Sequence, residues 1–141
     1  MRQRCPESAV IGTAVLNGHA LCFPRLSDAR QCGVASYEPH PQHDLWGVVY
    51  RMSESDFVRL DDHEGYLLGR SAEQNAYNRI EVSVQLNAVP TPVQTYLAIR
   101  QDGVHLPSAA YLKHLRDGAR HHGLPAAYQA MLTSLTCLDE D

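Results

Sequence analysis

The dipeptide Asn17-Gly18, set between two β-prone segments, constrains the fold of this chain most strongly. Residues 9–16 are rich in valine, isoleucine, threonine and leucine, and residues 19–23 end in a second apolar run before Pro24. Asn-Gly is favoured in two-residue hairpin turns because both turn positions need a positive φ. The pattern predicts an antiparallel hairpin in which residues 9–16 pair with residues 19–23.

Four further segments have the composition of strands, which brings the predicted number of strands to six. Residues 80–86 alternate apolar and polar side chains, which is typical of a strand with one wet face. Residues 44–52 are apolar on both faces, as in a buried central strand. The other two strands are predicted at residues 33–37 and 93–99. Loop or turn signals separate the strands at residues 25–32, 39–41, 68–75 and 90–92, of which 68–75 has the composition of a flexible flap.

Three helices are predicted. The first begins at Ser53, whose spacing to Asp56 resembles a capping box with Asp in place of Glu, and ends before Gly65. The second covers residues 108–122, with Gly123 as a left-handed cap, and the third begins with Pro125 at its first position.

The order of these elements excludes a simple βαβ repeat and predicts an α+β fold. The sheet should be mainly antiparallel and six-stranded, either open or closed into a barrel, with the helices packed outside. A chain of 141 residues with 44% hydrophobic content has the size of one domain, so residues 1–141 are predicted to form one unit with an acidic tail at 137–141. The predicted core consists of Leu45, Trp46, Val48, Val49, Ile80, Val82, Leu97 and Ile99.

Charge and hydropathy exclude several classes of partner. Lys and Arg total 12 against 16 Asp and Glu, so no basic surface for nucleic acid or an anionic membrane is expected. The apolar runs are shorter than a membrane span, and the N-terminus lacks the apolar core of a signal peptide. We expect a cytoplasmic protein that is a monomer or a homodimer.

No metal site is predicted. The four cysteines are scattered singly and are expected to be reduced thiols. His40 and His43 flank a proline in a loop, and the adjacent His121 and His122 point to different sides of a helix, so neither pair offers three or four converging ligands.

The run Leu60-Asp61-Asp62-His63-Glu64-Gly65 carries the candidate chemistry. Three acids lie within four residues at a helix end, and like-charge repulsion there favours a proton-transfer role for one of them. Glu64, at the turn where the backbone leaves the helix, is the candidate general base. The alternative is that all three acids form a solvated helix end.

Five ordered motifs resemble the gamma-glutamylcyclotransferase-like family, and the resemblance covers roughly residues 4–135. They are Asp44-Leu45-Trp46-Gly47-Val48-Val49-Tyr50, the run at 60–65, Tyr77-Asn78-Arg79-Ile80-Glu81-Val82, Pro107-Ser108 with Tyr111, and Gly118-Ala119 followed by His122-Gly123-Leu124-Pro125 with Tyr128. The resemblance implies the barrel form of the sheet. It also implies that the α-amine of a γ-glutamyl group attacks its own γ-carbonyl, releasing 5-oxoproline and an amine or amino acid.

Such a reaction needs no cofactor, because the ring closes within one molecule. By its place in the motif, Glu64 matches the glutamate that moves the protons, whereas Asp61 and Asp62 are assigned to the solvated face of the helix. Tyr77, Tyr96 and Tyr111 match substrate-pocket tyrosines. The alternative for each of these tyrosines is a core or interface aromatic.

The resemblance has one departure. Family members begin with a strand that ends in a Tyr-Gly-Ser-Asn loop, whose amides hold the glutamyl carboxylate, and residues 1–6 here look like the segment after that loop. We expect the true start to lie upstream of Met1. The alternative is a truncated, non-catalytic binding or interaction module of the same fold. A Ser or Cys hydrolase is set aside because no Gly-x-Ser-x-Gly elbow occurs.

Overall fold

The computed structural model describes residues 5–138, a range that leaves the last three residues of the predicted acidic tail outside the description. All strand pairs are antiparallel, and the strand order is β2-β1-β3-β4. The elements in chain order are β1 (Ala9–Ser27), β2 (Cys32–Arg51), α1 (Glu54–His63), a 3₁₀ turn (Ala72–Gln74), β3 (Tyr77–Leu86), β4 (Val89–Ala98), α2 (Ala109–His121) and α3 (Ala126–Ser134).

The hairpin predicted at Asn17-Gly18 is wrong, because β1 continues through this dipeptide. Asn17 pairs with Asp44 and His19 pairs with Pro39, so residues 40–43 of β2 lie opposite Gly18 alone. Gly18 has a φ of +70°. The positive φ that suits a tight turn also suits a bulge, and here it accommodates the extra residues of β2. The chain reverses instead at residues 28–31, within the predicted loop.

The predicted six-stranded barrel is also wrong: the sheet has four strands and is not closed. Each of the first two long strands contains two of the predicted segments. Residues 44–51 therefore lie on β2, at one end of the strand order rather than at its centre. The two outer strands nevertheless approach each other, since the Ala98 N–H donates to Ser36 Oγ at 3.0 Å. The sheet is thus strongly curved without a continuous ladder between β2 and β4.

β3 and β4 form a hairpin whose turn differs from the prediction. The turn residues are Asn87 and Ala88, with φ of 52° and 63°, as a two-residue type I′ turn requires. Pro90 and Pro92 lie within β4 instead of bracketing the turn. A proline lacks the N–H that a ladder needs, and β4 is an outer strand of the sheet, where this loss is tolerated.

The helices follow the sequence signals closely. Ser53 Oγ accepts a hydrogen bond from the Asp56 N–H at 3.1 Å and caps α1. The carboxylate of Asp56 pairs with Arg59 at 2.8 Å, a contact that the capping-box spacing does not predict. Gly123 has a φ of +68° after α2, as expected of a left-handed cap, and Pro125 is the N-cap of α3 rather than its first residue.

The apolar interior is divided into two parts. The helical hairpin of α2 and α3 packs on β1 and β2, where buried Ala119, Leu124 and Leu132 meet Leu21 and Trp46. The second part is an apolar cavity of about 480 Å³ among all four strands and α1. Five residues of the predicted core line this cavity: Leu45, Trp46, Val48, Val49 and Val82. In residues 5–138 no helix combines the length and apolarity needed to cross a membrane.

Candidate functional site

Glu64 is the C-cap residue of α1. Its N–H donates to the Leu60 carbonyl at 2.8 Å, so its backbone completes the last helical turn. Gly65 follows with a φ of +67°, which turns the chain away from the helix axis. The side chain of Glu64 is thereby presented at a fixed place, where the helix ends.

Gly65 also joins this turn to β3. The Ala76 N–H donates to the Gly65 carbonyl at 3.1 Å, and a Cβ added at Gly65 would lie 3.0 Å from the Ala76 Cβ. Glycine is therefore required here both for its φ and for this close approach. The contact places Tyr77, the first residue of β3, beside the end of α1.

Two tyrosines bind the backbone of one residue of β2, Ala35, one at its N–H and one at its carbonyl. The Tyr77 hydroxyl donates to the Ala35 carbonyl at 2.7 Å, and the Ala35 N–H donates to the Tyr111 hydroxyl at 2.9 Å. Tyr111 is carried by the first turn of α2, which Ser108 caps. Because the Tyr111 oxygen acts as an acceptor in this bond, its own hydrogen is not used there and can be donated elsewhere.

Both hydroxyls are held in their neutral form. Burial raises the pKa of Tyr77 well above its ordinary value, and the neighbouring Tyr111 and Glu64 add to this increase. Burial also raises the pKa of Tyr111, although the hydrogen bond from Ala35 and the Arg30 guanidinium partly offset it. Near neutral pH the two groups can therefore act as hydrogen-bond donors or acceptors but not as bases.

Glu64, Tyr77 and Tyr111 line a single cavity of about 320 Å³. Its other lining residues come from the end of β1 and the following turn, from β2 at Val34, and from the end of α1. The volume lies at the small end of the range for ligand sites in proteins. The structure thus brings together three of the four candidate residues predicted from the sequence.

The fourth candidate, Tyr96, lies elsewhere. It lines the apolar cavity, and its hydroxyl donates to Asp61 Oδ1 at 2.5 Å. Asp61 also forms an ion pair with Arg79 at 3.1 Å, and the Arg79 guanidinium lies 4.9 Å from the Phe57 ring centroid.

These contacts correct the assignment of Asp61 to the solvated helix face. Its side chain is 20% exposed and fully engaged, whereas Asp62 is exposed as predicted. Asp61 lies one turn before Glu64 on α1, so the network of Asp61, Arg79 and Tyr96 holds this end of the helix against β3 and β4.

The segment predicted as a flap is organised by Asn75, which is 2% exposed. Asn75 Oδ1 accepts from Arg70 Nε at 2.6 Å and from the Leu67 N–H at 3.2 Å, and Asn75 Nδ2 donates to Asn78 Oδ1 at 2.7 Å. Arg70 also reaches the Gly65 carbonyl at 3.0 Å. The segment therefore supports the turn that carries Glu64.

Comparison with known proteins agrees with the motifs. A model of the AIG2-like family matches residues 44–132, a range that contains Glu64 and all three candidate tyrosines. The gamma-glutamylcyclotransferase of Bos taurus is 31% identical over 137 residues, which cover 94% of this chain and 69% of the bovine protein. The chain belongs to the gamma-glutamylcyclotransferase-like family.

Other members of the gamma-glutamylcyclotransferase-like family support the same assignment. The Mus musculus gamma-glutamylcyclotransferase is 30% identical over 112 residues, 79% of this chain, and the chain spans 56% of the mouse protein's length. A solved gamma-glutamyl cyclotransferase structure superposes with a TM-score of 0.86 at 28% identity, covering 99% of this chain and 81% of its own. The four-stranded sheet and three helices are therefore the fold of this family.

Sequence reasoning did not identify two charged residues that line the cavity with Glu64. Arg25 and Arg30 fall in a predicted loop, where charged side chains carry no periodic signal. Arg79 could have been noticed, because strand alternation places it on the same face as Tyr77. Within residues 5–138, no three His, Cys, Asp or Glu side chains converge as a metal site would need.

Proposed function

We propose that this protein is a gamma-glutamyl cyclotransferase that uses Glu64 to move the protons. The observation that carries the proposal is the placement of Glu64 at the turn after α1, facing a small cavity that it shares with Tyr77 and Tyr111. The named relatives support the reaction class.

In the proposed reaction the Glu64 carboxylate takes a proton from the α-ammonium of a γ-glutamyl compound. Glu64 passes this first proton to water. The freed amine attacks the γ-carbonyl carbon, a C–N bond forms, and the attacking nitrogen gives a second proton to Glu64 as the five-membered ring of 5-oxoproline closes. Glu64 donates that proton to the departing nitrogen while the original amide C–N bond breaks, and the released amine takes up the first proton from water. Atoms and charge balance without a cofactor, since one carboxylate serves as base and then as acid.

The two tyrosines have supporting roles in this scheme. Tyr77 is committed to the Ala35 carbonyl and holds the wall of the cavity. Tyr111 retains a hydroxyl hydrogen that can be donated to the γ-carbonyl oxygen as negative charge develops on it. Both rings exclude water from the reacting atoms. Tyr96 is assigned instead to the network that fixes α1.

Glu64→Gln tests the proposal. The substitution keeps the size of the side chain but removes the base, so kcat/KM for 5-oxoproline release from γ-glutamyl-alanine should fall by about 10²–10⁴-fold. The rising limb of the pH profile should disappear as well. Steady-state release of 5-oxoproline measures both.

Glu54→Gln is the matched control, since Glu54 is an exposed residue in the first turn of the same helix. It should leave the rate within twofold of the wild type (about 0.4 kcal/mol). Near-normal activity of Glu64→Gln would refute the assignment of the base. Binding of γ-glutamyl-alanine without any turnover by the wild-type chain would instead identify a non-catalytic binding module.

A further inference from the structure

Two arginines line the cavity that also contains Glu64. Arg25 lies near the end of β1 and is half-buried, and Arg30 lies in the turn that leads to β2 and is exposed. Neither has a part in the proton transfers described above. Their position at a candidate site for a charged substrate calls for an explanation.

Arg25 and Arg30 make contacts of a different kind from the cations that form ion pairs elsewhere in residues 5–138, namely Arg59, Arg79, Arg100, Lys113 and Arg120. Arg25 uses one Nη to donate to the Ile99 carbonyl at 3.3 Å, and the Arg30 guanidinium lies 5.3 Å from the Tyr111 ring centroid. A guanidinium has five N–H donors, so most remain available to a ligand.

Arg30 lies on the outer side of Tyr111. The Tyr111 hydroxyl is directed inward to the Ala35 peptide, whereas Arg30 covers the ring and is itself exposed. In the cyclisation, the γ-glutamyl half must fold beside Glu64, and the departing half must leave toward solvent. The departing half therefore faces the exposed arginine.

We propose that Arg30, assisted by Arg25, binds the carboxylate of the departing amino acid and makes the site selective for γ-glutamyl amino acids over γ-glutamyl amines. This inference rests on the proposed function. A planar guanidinium can bind a carboxylate through two parallel hydrogen bonds, and a simple amine leaving group offers no such anion.

The acid at the end of α1 fits this arrangement. The substrate ammonium is taken by Glu64, and the negative charge of Asp62 disfavours an anion beside that helix end. Asp28 lies in the same turn as Arg30 and lowers the net positive charge there, so direct hydrogen bonds to the guanidinium must hold the carboxylate.

The experiment compares two substrates, γ-glutamyl-alanine and γ-glutamyl-ethylamide, which differ only in that the ethylamide has a hydrogen in place of the departing carboxylate. The wild-type ratio of their kcat/KM values should favour the alanine compound, and Arg30→Gln should lower this ratio roughly tenfold. Arg30→Lys keeps the positive charge and should therefore retain part of the wild-type preference for the alanine compound. Arg51→Gln, an exposed arginine outside the cavity, should leave the ratio as it is.

Binding to Glu64→Gln, measured by titration calorimetry, separates this inference from the proposed function. In this background γ-glutamyl-alanine should bind roughly tenfold more tightly than the ethylamide, and adding Arg30→Gln should remove the difference. If the preference is present but the wild type releases no 5-oxoproline, the anion site stands and the proposed reaction fails. Equal affinities, no binding of either compound, or a ratio unaffected by Arg30→Gln would overturn the inference.

Discussion

The hydrogen bond between Tyr96 and Asp61 is the contact that most clearly changes the interpretation of the helix end. Burial raises the pKa of Tyr96, and the hydrogen bond and charge of Asp61 raise it further. The tyrosine therefore stays a donor to a carboxylate that also pairs with Arg79. An acid with this environment is a structural support for Glu64 rather than a solvated charge.

Tyr96→Phe should lower the free energy of unfolding by about 1 to 2 kcal/mol, because it leaves one hydrogen bond of a partly buried carboxylate unmade. Urea denaturation followed by circular dichroism measures this change. Tyr66→Phe is the matched control: its ring centroid lies 5.7 Å from the Arg79 guanidinium, and its hydroxyl bonds to no described residue. The control should cost less than about 0.5 kcal/mol. Equal losses in the two variants would contradict the proposed role of the hydroxyl.

The sequence was sufficient to find residues that carry a local signal. Glu64 follows a helix and precedes a glycine, so its position follows from a short-range pattern, whereas Tyr77 and Tyr111 were indicated by the family resemblance. Arg25, Arg30 and the bonding of Asp61 depend on which strands meet around the cavity. That information resides in the pairing of β1 with β2 and in the curvature of the sheet, which no short stretch of sequence specifies.

At the scale of elements, the β3–β4 turn contains a residue whose backbone conformation its side chain disfavours. Ala88 has a φ of 63°, where a non-glycine residue is disfavoured by about 1–2 kcal/mol. Ala88→Gly should therefore raise the free energy of unfolding. Part of the relief is lost to the greater entropy of glycine in the unfolded chain, so the expected net gain is about 0.5 to 1 kcal/mol.

Gly18→Ala makes the opposite change at the bulge of β1, since it replaces a glycine of positive φ by alanine. Gly18 has a φ of +70°, and a Cβ there would meet no atom within 4 Å, so backbone strain alone should decide the outcome. We expect a loss of about 1 kcal/mol, measured by the same denaturation. A gain from Gly18→Ala or a loss from Ala88→Gly would show that these φ values are not those of the protein in solution.

The strand errors have one physical cause. Glycine and proline were interpreted as signals that a strand ends in a turn. Gly18, Pro90 and Pro92 instead lie within strands that continue past them. A bulge or an outer strand accepts such residues because the partner strand, or solvent, compensates for the altered ladder. The helices were predicted well because their caps are local hydrogen bonds, such as that between Ser53 and Asp56.

For the whole molecule, two cavities beside the curved sheet differ in character. The larger one is apolar and lies among the four strands and α1, while the smaller one collects charged and phenolic groups from β1, the turn after it, α1, β3 and α2. α1 contributes to both, with Leu60 to the first and Glu64 to the second. Packing of α1 against the apolar cavity therefore helps to fix the position of the candidate base.

A consequence for the whole molecule is instability in alkali, because burial raises the pKa of several tyrosines in the folded state. These are Tyr37, Tyr50, Tyr77, Tyr96, Tyr111 and Tyr128. Below about pH 10 these hydroxyls are protonated in both the folded and the unfolded state, so the free energy of unfolding does not depend on their ionisation there. Above that pH the unfolded chain releases protons that the folded chain retains, so the free energy of unfolding falls as pH rises.

The slope of this fall approaches about 1.4 kcal/mol per pH unit for each hydroxyl that stays protonated only in the folded state. Urea denaturation at pH 7, 9 and 10.5 should therefore give similar free energies at the first two values and a marked loss at the third. Tyr77→Phe removes one contributor, so its stability should decline less steeply between pH 9 and 10.5 than that of the wild type, even though it starts lower. A free energy of unfolding that stays constant up to pH 10.5 would mean that these hydroxyls ionise equally in both states, and the enclosure of Tyr77 and Tyr111 around Ala35 would be wrong.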